Sequence, residues 1–461
     1  MHLRGNNIMK FNHLFLTLFA FAVVWPSTLF GQRQLTTDNT QPPLLTLDDA
    51  VSLALENNRL VKNSALEARK FDFRVNTAKT RRLPQFQVAV LGGELLHSFD
   101  YTIPGGTFGT YPGTGPIPSQ DSKIHNPARF TTNATAAFDQ PLSQQYKIGL
   151  GIRATEVGRD IAKEDVRAER QKIASEVRNA YFSLVATQAG VDATREAVRT
   201  LEEAQRVTAK YQLEETVLRA DALDVDARLA KAHYDFSVAE NGLATQREHL
   251  NQLLGRDLTT SFRVDLMPET EAEDLTLQVA RDRAEKSRPE IRQAQLKQKQ
   301  AEYDRRIAKA EYIPDLSVSV RYLGMNNVSF VPGNVGVAGF FFSWEPFDWG
   351  RKRNAVSEKT KTVEQARNGT AETESQIAVE IGMKYRKWHE AALLLKVART
   401  QHDANTERLR VVSTKYKEQA ALIKDLLEAQ ARKSEADYQY QQALSSYWGA
   451  LADLRRAMGE E

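Results

Sequence analysis

The sequence repeats itself, and this repetition constrains its fold more than any other feature. Leu45-Thr46-Leu47 recurs as Leu275-Thr276-Leu277, an offset of 230 residues. Further matches follow at this offset and later at 204: Ala50 with Ala280, Pro84 with Pro314, Tyr181 with Tyr385, Leu250 with Leu454, and Gly255 with Gly459. The chain is therefore two tandem copies of one unit, residues 45–255 and 274–459, joined by a linker at residues 256–273.

Within each copy the pattern predicts a helix, a strand, a loop, a second strand and two long helices joined by a turn. The offset shortens because the loop is longer in the first copy. Nine of the fifteen positions from Pro104 to Pro118 are Gly or Pro, which we expect to exclude regular structure. The matching turn, around Gly324 to Gly336, is short. A loop whose length varies in this way is expected at a surface.

The strand candidates have one apolar and one polar face. Leu316, Val318, Val320 and Tyr322 alternate with Ser317, Ser319 and Arg321, and residues 130–138 alternate similarly. The strand at 337–344 is too uniformly apolar for its faces to be assigned. Such alternation is what a barrel wall between lipid and water requires. Four strands per chain cannot close a barrel, since even small barrels need about eight, so closure requires several copies.

The helical segments carry apolar residues at seven-residue spacing, which favours coiled-coil packing. Three series show it: Ile381, Trp388, Leu395, His402, Leu409 and Tyr416; Val177, Leu184, Val191, Val198 and then Gln205; and Leu229, Phe236, Leu243 and Leu250. No proline interrupts residues 147–211, a length of roughly 100 Å at 1.5 Å per residue. Prolines instead mark each predicted passage between strand and helix: Pro84, Pro141, Pro314 and Pro346.

The N-terminus has the architecture of a secretory signal. A basic region ending at Lys10 precedes an apolar run, residues 14–25, and Pro26 ends it. We therefore predict a signal peptide at residues 1–31 and a linker at residues 32–44. No other segment approaches the roughly 20 apolar residues of a spanning helix, so a membrane location would require strands.

Composition and motifs exclude several classes of function. The net charge is only +3, without the basic character of a nucleic-acid-binding protein. The chain has no cysteine, and its eight histidines show no metal-ligand spacing. We find no catalytic triad, nucleophile elbow or phosphate-binding loop. The sequence therefore predicts neither an enzyme nor a cofactor or metal site.

The layout resembles the TolC-like outer-membrane efflux proteins over essentially the whole mature chain. The segments that carry the resemblance are LTLDDAVSLALENN (45–58), LPQFQV (83–88), LNQLLG (250–255), EPFDWGRKRN (345–354), KDLLEAQ (424–430) and LADLRRAMG (451–459). The resemblance implies a mixed α/β membrane protein with long antiparallel coiled-coil helices. Three copies, with four β-strands per chain, would form a trimeric twelve-stranded β-barrel and a periplasmic α-helical tunnel.

The resemblance also implies a pore constriction at the far end of the tunnel. Asp425 and Glu428 stand where the family has a pair of ring-forming acids, with Asp221 as their counterpart in the first copy and Tyr416 before the turn. Two features depart from the family. Gln419 and Glu215 replace the turn glycines, and Ala421 replaces an arginine that ties the closed tip. Arg219 and Lys424 are candidate substitute tethers.

We therefore expect the outer-membrane exit duct of a tripartite efflux or type I secretion system, passive and extending into the periplasm. Its implied partners are two further copies, outer-membrane lipid, a periplasmic adaptor docking near residues 212–217 and 417–423, and an inner-membrane pump. The alternative is a periplasmic coiled-coil adaptor or scaffold without a pore. The sequence does not identify the transported substrate.

Overall fold

The computed structural model describes residues 42–213, 218–265, 275–327, 332–418 and 420–461. The predicted signal peptide and residues 32–41 of the predicted linker lie outside these ranges. Residues 43–461 form one compact unit.

The helices and strands occur in an order that is repeated along the chain. The first half contains β1 (Leu44–Leu45), α1 (Leu47–Asn57), α2 (Arg59–Thr80), β2 (Gln85–Glu94), β3 (Phe99–Ile103), β4 (Thr110–Tyr111), β5 (Gly115–Pro116), β6 (Ser122–Asn126), β7 (Phe130–Pro141), α3 (Gln145–Leu213) and α4 (Arg219–Leu253). The second contains β8 (Arg263–Val264), α5 (Leu277–Ser287), α6 (Pro289–Ala310), β9 (Asp315–Asn326), β10 (Asn334–Ser343), α7 (Arg351–Lys417) and α8 (Ile423–Ala457).

Asn58, which lies between α1 and α2, holds the C-terminal end of α4 by a hydrogen bond. Asn58 ends the first helix and caps the second, accepting a hydrogen bond from the N–H of Leu60 at 2.8 Å. Its amide donates to the carbonyl of Leu253, also at 2.8 Å. Gly255 follows with φ of 68°, and a Cβ there would lie 2.5 Å from the Asn57 carbonyl oxygen. Only glycine fits this approach, which explains its place at the end of the first copy.

The strands confirm the predicted four-stranded element. One antiparallel sheet has the order β10-β9-β7-β2, and the β7–β9 ladder joins the two halves of the chain. The pairing also assigns the faces of β10, which the sequence left open. Ala338, Phe340 and Phe342 stand opposite Val320, Val318 and Leu316, so they share the apolar face. Ser319, Arg321 and Asp139 belong to the polar face, where Arg321 lies 3.9 Å from the Asp139 carboxylate.

The expectation that residues 104–118 lack regular structure is wrong. β3 pairs with β6, and within the loop β4 pairs with β5 as a small antiparallel ladder. Gly106, Gly109, Gly113 and Gly115 all have positive φ. Gly106 and Gly113 lie in tight turns, Gly109 precedes β4 and Gly115 begins β5. Glycine adopts this conformation without a steric penalty, so it suits the bends of so short a ladder. The high glycine content of residues 104–118 therefore belongs to a small β-structure and does not indicate an irregular loop.

The predicted prolines and heptads are confirmed. Pro84 and Pro314 directly precede β2 and β9, Pro141 ends β7, and Pro346 follows β10. In α7, Ile381, Trp388, Leu395 and Tyr416 are buried, while His402 and Leu409 are half-buried. In α3, the series is buried from Val177 to Val198, and Gln205 is exposed. None of the described helices is both long enough and apolar enough to cross a bilayer.

The principal elements are arranged as rows of four. α3 with α4, and α7 with α8, form two helical hairpins. Next to the sheet the helices follow the order α2, α3, α6, α7, and toward the ends of the hairpins they follow the order α4, α3, α8, α7. The short helices α1 and α5 pack on α3 and α7, and the two main apolar cores lie there. Within the described residues, each row therefore ends in an edge without a neighbour: α2 or α4 on one side and α7 on the other.

A half-buried polar contact ties three helices together. The Asp453 carboxylate on α8 accepts hydrogen bonds from Lys384 Nζ on α7 at 2.6 Å and from Asn179 Nδ2 on α3 at 3.0 Å. Burial by itself raises the pKa of Asp453, but these donors outweigh it and hold the pKa below its ordinary value. The ionised carboxylate is therefore the form that the fold stabilises.

We expect Asp453→Asn to lower the stability of the helical region by about 1–3 kcal/mol, because it leaves Lys384 without its counter-ion. The pKa of Asp453 is lower in the folded state than in the unfolded state, where it is about 3.9. The ionised carboxylate therefore stabilises the fold above about pH 4, and this stabilisation is lost as the pH falls through the folded-state pKa. The variant should therefore lose less stability than the wild type below about pH 4. Thermal unfolding of detergent-solubilised protein across pH measures both effects, and an unchanged midpoint at neutral pH would contradict this role.

Candidate functional site

The residues predicted to form the constriction lie at the ends of the two helical hairpins. Arg219 and Asp221 occupy the first turn of α4, and Lys424 and Asp425 the first turn of α8. Glu428 follows one turn later, and Tyr416 lies in the last turn of α7. The predicted residues are therefore divided between the two hairpins: those of α4 lie at the end of the first, and those of α7 and α8 lie at the end of the second. Gln419, Glu215 and most of the 212–217 docking segment lie outside the described residues.

Asp425 fixes the start of α8. One of its carboxylate oxygens, Oδ2, accepts a hydrogen bond from the backbone N–H of Leu422 at 3.1 Å. A carboxylate at this position also interacts favourably with the positive end of the helix dipole. Asp221 lies in the first turn of α4 in the same way. Both acids therefore have a local structural role as well as a charge at the hairpin end.

Glu428 is paired with a cation on its own helix. Its carboxylate forms an ion pair with Arg432, one turn further along α8, and both side chains are about half exposed. With Asp425, these two residues line a shallow groove of about 290 Å³ whose other lining residues include Arg408 and Lys415 of α7. The predicted acidic site is therefore one of mixed charge, with three cations facing two carboxylates.

The first copy contains an ion pair that matches Glu428–Arg432 and that was not predicted from the sequence. Asp224 lies 3.1 Å from Arg228 on α4, with the same spacing as Glu428 and Arg432. The two pairs are related by the 204-residue offset of the repeat. Applying that offset to every predicted acid would have found Asp224, because Asp224 matches Glu428 as Asp221 matches Asp425.

Tyr416 is a packing residue within the protomer. Only 8% of its surface is exposed, and its ring is directed at α3, where Thr208 is buried. Burial raises the pKa of Tyr416, against a smaller opposing effect of the neighbouring Thr208 hydroxyl. Tyr416 therefore fixes the last turn of α7 against α3.

The two candidate tethers are free to reach outward. Arg219 and Lys424 are both exposed, and neither forms an ion pair with another described residue. Any contact that they make as tethers would involve residues beyond the described part of this chain.

A larger cavity lies between the two hairpins. It has a volume of about 640 Å³ and is lined by α3, α4 and α8 together with His402 of α7. Small residues of α3, among them Ala189 and Ala193, face Tyr438 of α8 across it. His402 stacks near Tyr440, with ring centroids 5.1 Å apart. Across the described ranges, no three His, Asp or Glu side chains form a group that could hold a metal ion.

Solved structures of outer-membrane channels share this fold. The CmeC channel of Campylobacter jejuni is 17% identical, with coverage of 90% of this chain and 85% of that chain and a TM-score of 0.71. VceC of Vibrio cholerae is 15% identical, with coverage of 90% and 96% and a TM-score of 0.70. MtrE of Neisseria gonorrhoeae is 16% identical, with coverage of 90% and 89% and a TM-score of 0.67.

Sequence comparison identifies the family. The chain has no match among curated proteins. The outer membrane efflux protein family, in contrast, matches residues 50–256 and 280–460, which together span most of both copies. The resemblance inferred from the sequence motifs is thereby confirmed, and with it a role in transport rather than catalysis. The chain belongs to the outer membrane efflux protein family.

Proposed function

We propose that three copies of this chain form the passive exit duct of a tripartite efflux or secretion system. The observation that carries this proposal is the single-layer construction. The principal elements form one row of four in the sheet and in both parts of the helical region, and both edges of each row lack a neighbour among the described residues. A row of this kind buries its edges by joining further copies, and a closed ring of copies leaves no edge.

The internal repeat supports a specific contact between copies. Within the chain, α3 packs on α8, and Ala189 and Tyr438 line the same cavity between them. Moving each residue by the 204-residue offset gives Leu393 on α7 and Tyr234 on α4. Both are large, exposed side chains on the two edge helices. We infer that α7 of one copy packs on α4 of the next as α3 packs on α8 within the chain.

The sheet supports the membrane location of the duct. Its apolar face leaves Phe86, Val88 and Phe340 exposed, the last at 77%. An apolar surface of this kind is unfavourable in water and is stable against lipid tails. The strands have 10 to 12 residues, close to the roughly 9–11 that span a bilayer when tilted. The opposite, polar face would line the lumen of a twelve-stranded barrel.

The helices support a duct that extends into the periplasm. At 1.5 Å per residue, the 69 residues of α3 extend about 100 Å. CmeC and MtrE are described as outer membrane channels. A periplasmic adaptor and an inner-membrane pump are the partners that the family implies, and the hairpin ends, with residues 417–423, are the surface that we assign to the adaptor. A scaffold without a pore would leave the apolar sheet face without a purpose.

The constriction completes the proposal. In a trimer, Asp425, Glu428, Asp221 and Asp224 of each copy would surround one axis, and Tyr416 would fix the α7 turn behind them. Carboxylate rings attract cations and repel anions. Arg228 and Arg432 would partly neutralise these rings, so that the constriction is less cation-selective than the carboxylates alone predict. Arg219 and Lys424, which are exposed, are the side chains that we assign to contacts between copies at the closed end.

Replacing both acids of the second copy tests the constriction. We expect Asp425→Ala with Glu428→Ala to raise the conductance of the purified protein in a planar bilayer and to reduce its preference for cations. A loss of about 1 kcal/mol of attraction corresponds to roughly a fivefold change in the permeability ratio. Currents of wild-type size and selectivity would place the constriction elsewhere, and reproducible silence of a soluble protein would reject the duct.

Arg432 should act in the opposite direction. Arg432→Gln removes a cation that offsets Glu428, so we expect the cation preference to rise by up to about fivefold. Arg410→Gln is a matched control, because it breaks the exposed Glu407–Arg410 ion pair of α7, which does not line the groove, and it should leave the cation preference unchanged. Reversal potentials in a salt gradient measure both variants. A fall in cation preference in Arg432→Gln would contradict the proposed compensation.

Cysteine cross-linking tests the contact between copies. Because the chain has no native cysteine, the reagent can link only the introduced pair. We expect Tyr234→Cys with Leu393→Cys to give covalent dimers and trimers when treated with a short bismaleimide. Tyr438→Cys with Ala189→Cys is the matched control, since it should link α8 to α3 within one chain and give no dimers or trimers. Linkage of the control pair alone would exclude the proposed α7–α4 contact.

A further inference from the structure

A second cavity lies where the four-stranded sheet meets the helices. It has a volume of about 850 Å³, and its walls are formed by α2, α3 and α6. Three residues at the ends of strands border it: Gln85, Pro141 and Asp315. Sites for small molecules occupy about 300–1,000 Å³. The cavity is therefore large enough for a small organic molecule, and its position and charge indicate which kind.

The strand ladders place this cavity on the polar face of the sheet. Gln85 stands opposite Asp139, which belongs to that face. Pro141 stands opposite Ser317 of the same face, and Asp315 lies two residues before Ser317 on the same strand. Under the proposed function this face lines the lumen, where membrane lipid does not reach. Further copies join at the α2 and α7 edges, so they do not cover this face.

The residues that line the cavity carry more positive than negative charge. Arg74, Arg81 and Lys147 line it together with the carboxylate of Asp315, which gives three cations against one anion and a net charge of +2. The chain around Arg81 is basic as well, because residues 73–84 include four Lys or Arg and no Asp or Glu. A recess with this balance of charge attracts anions.

Arg81 is the cation that is available to a ligand. It is exposed and forms no ion pair with another described residue. Lys147, in contrast, pairs with Glu311, and Arg74 Nη2 lies 3.5 Å from the Glu67 carboxylate. Because a guanidinium group presents several N–H donors in one plane, it is suited to the oxygens of an organic anion.

Another part of the wall is aliphatic and borders open space. Ile148 and Ile152 of α3 and Ile307 of α6 line the cavity. Gly151 lies beside the first two on α3, and a Cβ at this position would meet no atom within 4 Å. An available guanidinium group and an aliphatic wall in one cavity fit a molecule that has an anionic head and an apolar body.

We propose that this cavity binds amphipathic organic anions in transit through the duct. Arg81 binds the anionic head, and Arg74 adds to the positive potential. The three isoleucines contact the apolar body of the ligand. In a trimer, three such sites would surround the lumen where the sheet meets the helices. This inference rests on the proposed function, in which the polar face of the sheet lines the lumen.

Three ligands with one ring system and different head groups test the class of ligand. They are 2-naphthalenesulfonate, 2-naphthalenesulfonamide and the 2-naphthylmethylammonium ion. Isothermal titration calorimetry of the full chain in a non-ionic detergent measures their dissociation constants, and titration into empty micelles gives the baseline. We expect the sulfonate to bind about tenfold more tightly than the sulfonamide and the ammonium ion to bind most weakly. Equal affinities for the three ligands would overturn the preference for anions.

Arg81→Gln tests the contact with the anionic head. We expect it to weaken binding of the sulfonate by about tenfold and to change binding of the sulfonamide little. Lys79→Gln is the matched control, because it removes the same charge from an exposed residue of α2 that does not line the cavity. An unchanged dissociation constant in Arg81→Gln, or an equal loss in both variants, would overturn the assignment to Arg81.

Gly151→Leu tests the location without removing a charge. The leucine side chain would extend into the open space beside Gly151, so we expect binding of the sulfonate to weaken at least about tenfold while the thermal midpoint is kept. Gly151→Ala is the control, since it also replaces the glycine but adds only one methyl group. Binding of wild-type strength by a folded Gly151→Leu protein would show that the ligand lies elsewhere.

Currents in a planar bilayer separate failure of this site from failure of the duct. We expect the sulfonate to reduce the current of the wild-type protein and to leave the current of Gly151→Leu unchanged. A conducting wild-type protein whose current the sulfonate does not reduce refutes the site in the lumen and leaves the duct. A silent protein that binds the sulfonate, and loses this binding in Gly151→Leu, refutes the duct and with it the role of the site in transit.

Discussion

The fold depends on a row of elements that is one layer thick. A globular domain covers the apolar face of a sheet or helix with a second layer. Among the described residues of this chain, only α1 and α5 form a second layer, over the middle of α3 and α7, and the apolar cores are concentrated there. The sheet and the hairpin ends lack such cover within the described chain. Lipid and further copies are the surfaces that can supply such cover, so the proposed membrane insertion and the proposed assembly follow from the same constraint.

The repeat allows one contact geometry to serve within a copy and between copies, but the side chains differ. At the α3–α8 contact, α3 contributes Ala189 and Ala193, and a cavity of about 640 Å³ remains. The corresponding positions on α7 are Leu393 and Val397. Larger side chains at an equivalent contact leave less space. Under the proposed assembly, the looser contact therefore lies inside each copy and the better-packed contact lies between copies.

Much of the fold could be predicted because it is written in periodic patterns. Heptads located the helices, alternation located β7 and β9, and the repeat located β2 by correspondence. The faces of β10 were not predictable, since an apolar run has no alternation; only its pairing with β9 assigned them. The β4–β5 ladder was missed because a glycine count does not distinguish an irregular loop from tight turns. The Asp453 contact joins residues 69 and 274 positions apart in sequence, and no local pattern indicates such a contact.

The distribution of contacts along the hairpins has a mechanical consequence. Asp453, Lys384 and Asn179 tie α8, α7 and α3 together near the end of α8 that is closer to the sheet. The cavity begins further along the same helices and extends toward Leu427, close to the hairpin end. Packed and hydrogen-bonded regions resist displacement, whereas a cavity offers space for it. The two hairpins of one copy are therefore held firmly at the middle of α3 and α7 and loosely near Asp425 and Glu428. Under the proposed assembly, the predicted constriction would therefore change its width by movement of the hairpin ends about the Asp453 contact, without disturbance of the strands.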